Sequence, residues 1–243
     1  MATLKGRDVI KLSRFQLDLF VNCPRCFWLL KRHGIKQPAG YPLALNTAMD
    51  GLLKAEFDEY RQRGEPHPIL AQHGVQARLF ADTAKLQEWR NNFQGLRWTD
   101  PDSGHILFGA IDDLLEFPDG SHAVVDYKSS GAREISVYPS YQLQMDVYTF
   151  LLQQLGYRPA PKAYFAFFVA VRDDGFRGRL PFRSALVEVE PRPERVPGLF
   201  RQAIEAAQSA VMPASGLECE SCRWLDQAGP VVAAGGTARV PDA

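Results

Sequence analysis

The stretch GAIDDLLEFPDGSHAVVDYKSS, Gly109–Ser130, decides how this chain reads. Residues 106–117 alternate or run apolar, Pro118-Asp119-Gly120 is a strong turn signal, and Ala123–Lys128 is a short, β-branched run. Together they predict a β-hairpin. Asp126 and Lys128 are two apart, so they project from one face of their strand. The hairpin brings Asp112, on its first strand, back beside Asp126. Ala123, Val124 and Val125 are apolar at successive positions, as in a strand buried on both faces. Two carboxylates and one ammonium thus converge at one end of a sheet, where a solvated polar face is the ordinary alternative.

That trio suits phosphodiester hydrolysis. Carboxylates repel a phosphate but hold Mg²⁺ or Mn²⁺. Such an ion neutralises the phosphate and acidifies water, and a nearby lysine orients that water or stabilises developing charge. Asp112 and Asp126 are the candidate ligands, the Tyr127 carbonyl is a further oxygen donor, and Lys128 is the candidate catalytic cation.

Working outward, residues 13–34 predict a helix capped by Ser13 and interrupted at Pro24, and residues 45–63 a second helix stopped by Gly64. A loop rich in Pro and His runs to about Gly74, and residues 85–92 predict another helix. Beyond the hairpin come a helix over 141–155, an aromatic-rich strand over 162–172, a strand over 185–189 and a closing helix over 193–211. This order predicts an α/β fold with a small mixed β-sheet flanked by helices. One domain over 1–228 and a flexible tail over 229–243 are expected.

The chain has 243 residues, 46% hydrophobic and 23% charged, enough for one large domain with a buried core. Its 28 basic and 28 acidic residues balance. Neutrality does not advertise a nucleic-acid binder, although a local basic groove is enough. No apolar run has the length of a membrane span, and the N-terminus lacks a signal-peptide core, so a cytoplasmic protein is expected.

Every cysteine in the chain belongs to a C-x-x-C pair, Cys23/Cys26 or Cys219/Cys222. Each pair lets two thiolates face one ion, and two pairs complete four ligands for tetrahedral Zn²⁺ or a [4Fe–4S] cluster. A shared centre would staple the early helix to the C-terminal segment. Four unligated, buried cysteines are the alternative.

GAIDDLLE followed by VVDYKSS resembles the second and third motifs of PD-(D/E)XK nucleases of the RecB-like branch, with a restriction-endonuclease-like core. That branch carries Q-x-x-x-Y on the next helix, matched here by Gln144 and Tyr148. It opens with a pattern resembling Ser13 followed by Asn22-Cys23-Pro24-Arg25. The resemblance covers about residues 12–226. It implies a divalent-metal-dependent deoxyribonuclease, exonuclease-like, acting on single-stranded DNA or free ends in repair, recombination or CRISPR-type processing. A helicase or a CRISPR or repair protein would be its partner.

By the same resemblance Asp112 and Asp126 ligate metal, Lys128 is catalytic, and Gln144 and Tyr148 position the strand or support the site. Asp50 stands where the branch has a metal-binding histidine, a departure that makes a non-catalytic nucleic-acid-binding or scaffold module the competing reading. CRISPR-associated and AddB-like relatives carry iron–sulfur clusters on one early and three late cysteines, so the resemblance implies a structural [4Fe–4S] cluster here; the two-and-two arrangement departs from that pattern and keeps structural Zn²⁺ as the alternative. A zinc-stapled interaction protein is a third reading. Candidate DNA contacts are Arg14, Arg25, Lys31, Arg32, Lys36 and Arg133, with Trp28 and Tyr141 as stacking platforms.

Overall fold

The computed structural model describes residues 9–40, 44–132, 134–173 and 175–235. In chain order the elements are β1 (Lys11–Ser13), α1 (Arg14–Asn22), α2 (Pro24–His33), α3 (Ala44–Arg63), α4 (Pro68–Gln72), β2 (Arg78–Leu79), α5 (Thr83–Arg90), β3 (Leu96–Thr99) and β4 (Ile106–Gly109). They continue with β5 (Asp113–Glu116), β6 (His122–Ser130), α6 (Pro139–Gln154), β7 (Ala163–Ala170), β8 (Phe182–Val189), a 3-10 turn (Pro193–Arg195), α7 (Val196–Gln208) and α8 (Glu220–Ala233). The expected α/β architecture is present, as two small sheets with flanking helices. Among the described residues no helix is long and apolar enough to cross a membrane.

The chain forms two compact units, Met1–Arg14 with Pro42–Gly198, and Phe15–Tyr41 with Leu199–Ala243. The first holds both sheets, ordered β1-β4-β3 and β2-β5-β6-β7-β8. Strand β6 is antiparallel to β5 and parallel to β7. Its odd positions Ala123, Val125 and Tyr127 join Leu53 and Phe57 of α3 in a buried cluster. Period two therefore turns Asp126 and Lys128 to the opposite face, where Gln144 of α6 meets both.

The first hairpin strand expected over 106–117 is broken. Strand β4 belongs to the smaller sheet and β5 to the larger, so the chain changes sheets at Ala110–Asp112. A Cβ on Gly109 would lie 2.7 Å from Tyr148 Cε1, so only glycine lets the backbone pass so near that ring. Asp112 lies in the bend just before β5, not on a strand.

In the second unit the expected 13–34 helix is two helices. Ser13 ends β1 and directly precedes α1, and Cys23 is the N-cap of α2, its Sγ accepting from Cys26 N at 3.4 Å. Pro24 sits in the first turn of α2, where its missing N–H costs nothing. Helix α8 runs to Ala233 and so takes in the first residues of the expected 229–243 tail; residues 236–243 lie outside the described ones. Gly216 is obligatory, because a Cβ there would collide with the Asn22 carbonyl.

Candidate active site and cysteine centre

Asp126 and Lys128 meet as their spacing predicts. Lys128 Nζ lies 2.5 Å from Asp126 Oδ2. Gln144 Nε2 donates to Asp126 Oδ1 at 2.6 Å, and Gln144 Oε1 accepts from Lys128 Nζ at 3.2 Å. One amide thus fixes both charged groups. Gln144 Nε2 also lies 3.2 Å from the Tyr148 hydroxyl, one helical turn along α6. The Lys128 ammonium lies 4.6 Å from the Tyr141 ring centroid, so Tyr141 covers the lysine.

Asp126 is only 3% exposed. Burial, and then the negative charge of Asp112, push its carboxyl up to about 7 against the pull of Lys128. Burial likewise pushes the Tyr148 phenol up to about 12.

Asp112 completes the end of the sheet in an unplanned-looking way. The last rung between β5 and β6 is Asp113↔Val125, and the Tyr127 amide beyond it donates to Asp112 Oδ2 at 2.9 Å. A carboxylate thus takes the place of a strand carbonyl. Of Tyr127, it is this amide that meets Asp112; its side chain faces the α3 cluster. Asp112 Oδ1 lies 3.0 Å from Lys54 Nζ, which is 2.7 Å from Asp50 Oδ2. Asp50 therefore reaches Asp112 through a lysine. Asn46 Nδ2 donates to Ser129 O at 3.2 Å and ties the start of α3 to the end of β6. Helical spacing of Asp50 and Lys54 was visible in the sequence; their convergence on Asp112 required the tertiary fold.

The second aspartate of the GAIDD stretch turns the other way. Asp113 is fully buried and takes both Arg61 Nη2 contacts, at 2.7 and 2.6 Å, and the Tyr127 hydroxyl at 2.6 Å. Arg90 reaches the Asp112 carbonyl at 2.7 Å through Nε and Asp58 Oδ2 at 2.7 Å through Nη1. Burial and then Asp113 hold the Tyr127 phenol well above its ordinary value. Arg61 and Arg90 thus clamp the backbone that presents Asp112. Sequence reasoning passed over both, because a helix arginine usually faces water.

In the other unit the four cysteines do converge. Their sulfurs lie within 4.8 Å of one another. Cys23 Sγ is 3.6 Å from Cys222 Sγ, and Cys26 Sγ is 3.5 Å from Cys219 Sγ and 3.4 Å from Cys222 Sγ. Against burial, the N–H groups of Gly216 and Cys26 bring the Cys23 thiol down to about 7. Among the described residues this is the one cluster of three or more metal-ligating side chains drawn tightly together.

The family model for the PD-(D/E)XK nuclease superfamily matches residues 11–227. The chain belongs to the PD-(D/E)XK nuclease superfamily. No curated protein matches it. The solved crystal structure of SSO0001 is 15% identical over 91% of this chain and 87% of that one, with a TM-score of 0.47.

PD-(D/E)XK nucleases use divalent metal ions. The donors at the sheet end fit one: two carboxylates, Asp112 and the buried Asp126, are near enough for the charge of the first to raise the pKa of the second, and the Lys128 ammonium is the close cation on Asp126 Oδ2. Asp112 and Asp126 would hold the ion. The cysteine sulfurs also fit a metal. A regular tetrahedron with bonds of ~2.3 Å has edges of about 3.8 Å, near the spacing seen here.

The proposed DNA contacts fare unevenly. Trp28 is 8% exposed and its Nε1 donates to Ser209 O at 2.9 Å, so its ring is packed away instead of offering a platform. Arg25 is paired with Asp226 at 2.9 Å. Arg32 reaches Gln208 O at 3.4 Å, and Lys36 is exposed. Arg133 lies outside the described residues. Arg14 is half-buried and its charge is felt at Asp126 and Tyr148.

Proposed function

We propose that this PD-(D/E)XK protein is a divalent-metal-dependent deoxyribonuclease whose site is Asp112, Asp126 and Lys128. The observation that carries the reading is Asp126. Its carboxylate is buried beside a second one, Asp112, with the Lys128 ammonium as its close cation, and a pair of carboxylates brought together out of water is relieved by a further positive charge such as a divalent ion. Mg²⁺ or Mn²⁺ supplies charge against the phosphate and acidifies water. Lys128, oriented by Gln144, holds that water or the developing negative charge, and Tyr148 keeps Gln144 in place. Arg14 adds positive charge on the approach. Exonuclease-like action at free ends, in repair or CRISPR-type processing beside a helicase or similar partner, is what the RecB-like resemblance implies.

The test is cleavage of linear and circular single- and double-stranded DNA by the purified chain with Mn²⁺. The Asp126→Ala and Lys128→Ala variants should bind DNA and not cut it. Undiminished cutting by both would discard the assignment. One observation favours the competing, non-catalytic reading: Asp50 is occupied by Lys54 instead of being open to an ion. No Mn²⁺ binding outside the cysteine site, with DNA binding retained, would favour that reading.

The cysteine centre is read as one structural Zn²⁺. Support comes from the closeness of the sulfurs, three pairs at 3.4–3.6 Å and all four within 4.8 Å of one another, which suits a single ion. A [4Fe–4S] cube would require them to spread. Metal analysis with an absorbance spectrum after anaerobic purification decides: one zinc and no colour supports this reading, and broad absorbance near ~400 nm with bound iron replaces it by the cluster.

A further inference from the structure

The loop between β7 and β8 carries chemistry that none of the site residues uses. Residues 171–181, VRDDGFRGRLP, hold Arg172, Arg177 and Arg179 together with Asp173 and Asp174, and the acids precede the tip, where Gly175–Arg179 (GFRGR) carries two arginines and no acid. Arg172, Arg177 and Arg179 are exposed, and none has an ion-pair partner among the described residues. Phe176 at the tip is 71% exposed.

The tip is a built turn. Arg179 N donates to Phe176 O at 2.7 Å, closing a four-residue turn whose central residues are Arg177, at φ 38°, and Gly178, at φ 76°. Positive φ at both centres makes it a type I′ turn, which Asn, Asp or Gly normally occupies. Arg177 is the one non-glycine residue with positive φ among those described. A side chain kept where the backbone prefers none points to a use for that side chain.

The place fits the use. Strands β6 and β7 are parallel, with Lys128 beside Phe167 and Ser130 beside Val169. The β7–β8 ladder closes at Ala170↔Phe182, three residues past the Lys128 rung, or about 10 Å along the strand. The Val171 N–H then bonds the Pro181 carbonyl at 2.8 Å, so the two arms leave the sheet together. The hairpin projects from the strand ends that carry the proposed catalytic lysine.

We propose that the β7–β8 hairpin is a single-strand-binding finger, in which Arg177 and Arg179 contact phosphates and the Phe176 ring stacks on an unpaired base. Guanidinium groups with an exposed aromatic suit a single strand, because a duplex hides the faces of its bases. The inference rests on the nuclease reading for the strand's destination, and names its substrate form.

The experiment measures binding of a fluorescent oligothymidylate and of a duplex by anisotropy, in EDTA, with the full chain. Phe176→Ala should weaken the single strand about five- to tenfold and leave the duplex unchanged. Replacing Arg177 and Arg179 by glycine should lower the salt slope by about 1.4. Arg177→Gly alone should weaken binding while raising or preserving the melting temperature, a combination that a folding defect cannot produce. Equal affinity of these variants and the parent, or no binding by the parent, overturns the finger. Because EDTA removes cleavage, the two readings part cleanly. Variants that lose binding in a protein that never cuts DNA leave the finger standing and sink the nuclease; normal binding by variants of an active enzyme does the reverse.

Discussion

The Lys54 ammonium lies 3.0 Å from Asp112 Oδ1 and 2.7 Å from Asp50 Oδ2, so a residue of α3 neutralises the carboxylate proposed to hold metal. Burial lowers its proton affinity, but Asp112 and Asp50 more than compensate and keep it charged. Asp112 Oδ2 is already engaged by Tyr127, and Asp126 by Gln144 and Lys128. An incoming divalent ion competes first with Lys54.

Lys54→Met should therefore tighten Mn²⁺ binding, by about fivefold for the loss of one partly exposed ion pair worth ~1 kcal/mol. Calorimetric titration without DNA measures it. Weaker binding by Lys54→Met would show that the lysine builds the site instead of competing for it.

Removing the buried partner of Arg61 and Arg90 should be far more damaging than removing its neighbour. Asp113→Ala leaves two guanidinium groups without their fully buried counter-charge and should cost roughly 3–5 kcal/mol. Asp112→Ala, at the partly open sheet end, should cost much less. Urea unfolding of both variants in EDTA compares them; equal losses would contradict the division of labour between the two aspartates.

The metal-free protein should lose stability as pH rises. The folded-state value for Asp126 is raised to about 7, above the ~4 of an unfolded aspartate. Its contribution is thus complete below about pH 4 and is lost as pH climbs through about 7. Melting temperatures in EDTA should fall from pH 5 to pH 8, and Asp126→Asn should flatten that fall. A wild-type melting curve independent of pH over this window contradicts the burial argument.

Gly109→Ala should impair cleavage without touching a charged group. Its Cβ would press on Tyr148 Cε1 at 2.7 Å, moving the hydroxyl that meets Gln144. Overpacking of this kind costs typically ~1–3 kcal/mol. The expected pattern is a folded protein with reduced turnover and oligonucleotide affinity near that of the parent. Unchanged turnover would remove Tyr148 and Gln144 from the positioning role.

Cys222→Ser should release the metal and lower the melting temperature, because Cys222 Sγ meets both Cys23 and Cys26. A metal joining segments so far apart in the chain removes much loop-closure entropy. Retention of stoichiometric metal by the serine variant would argue that the four sulfurs do not share one ion.

The sequence alone established what is periodic or local. Alternation in Ala123–Lys128 put Asp126 and Lys128 on one face, Pro118-Asp119-Gly120 announced a turn, and two C-x-x-C pairs announced a shared centre. These signals work because a strand repeats every two residues and a short loop has few conformations. They did not reveal that the strand before the turn breaks at Asp112, since that depends on pairing with strands from elsewhere in the chain: β4 lies between β1 and β3, and β5 between β2 and β6. Nor did they separate Asp112 from Asp113. Only the tertiary structure decided which aspartate faces the sheet end and which pairs with Arg61, that Lys54 bridges Asp50 to Asp112, and that Trp28 is packed away. Such choices depend on which distant side chains share a low-dielectric space, and no local spacing encodes that.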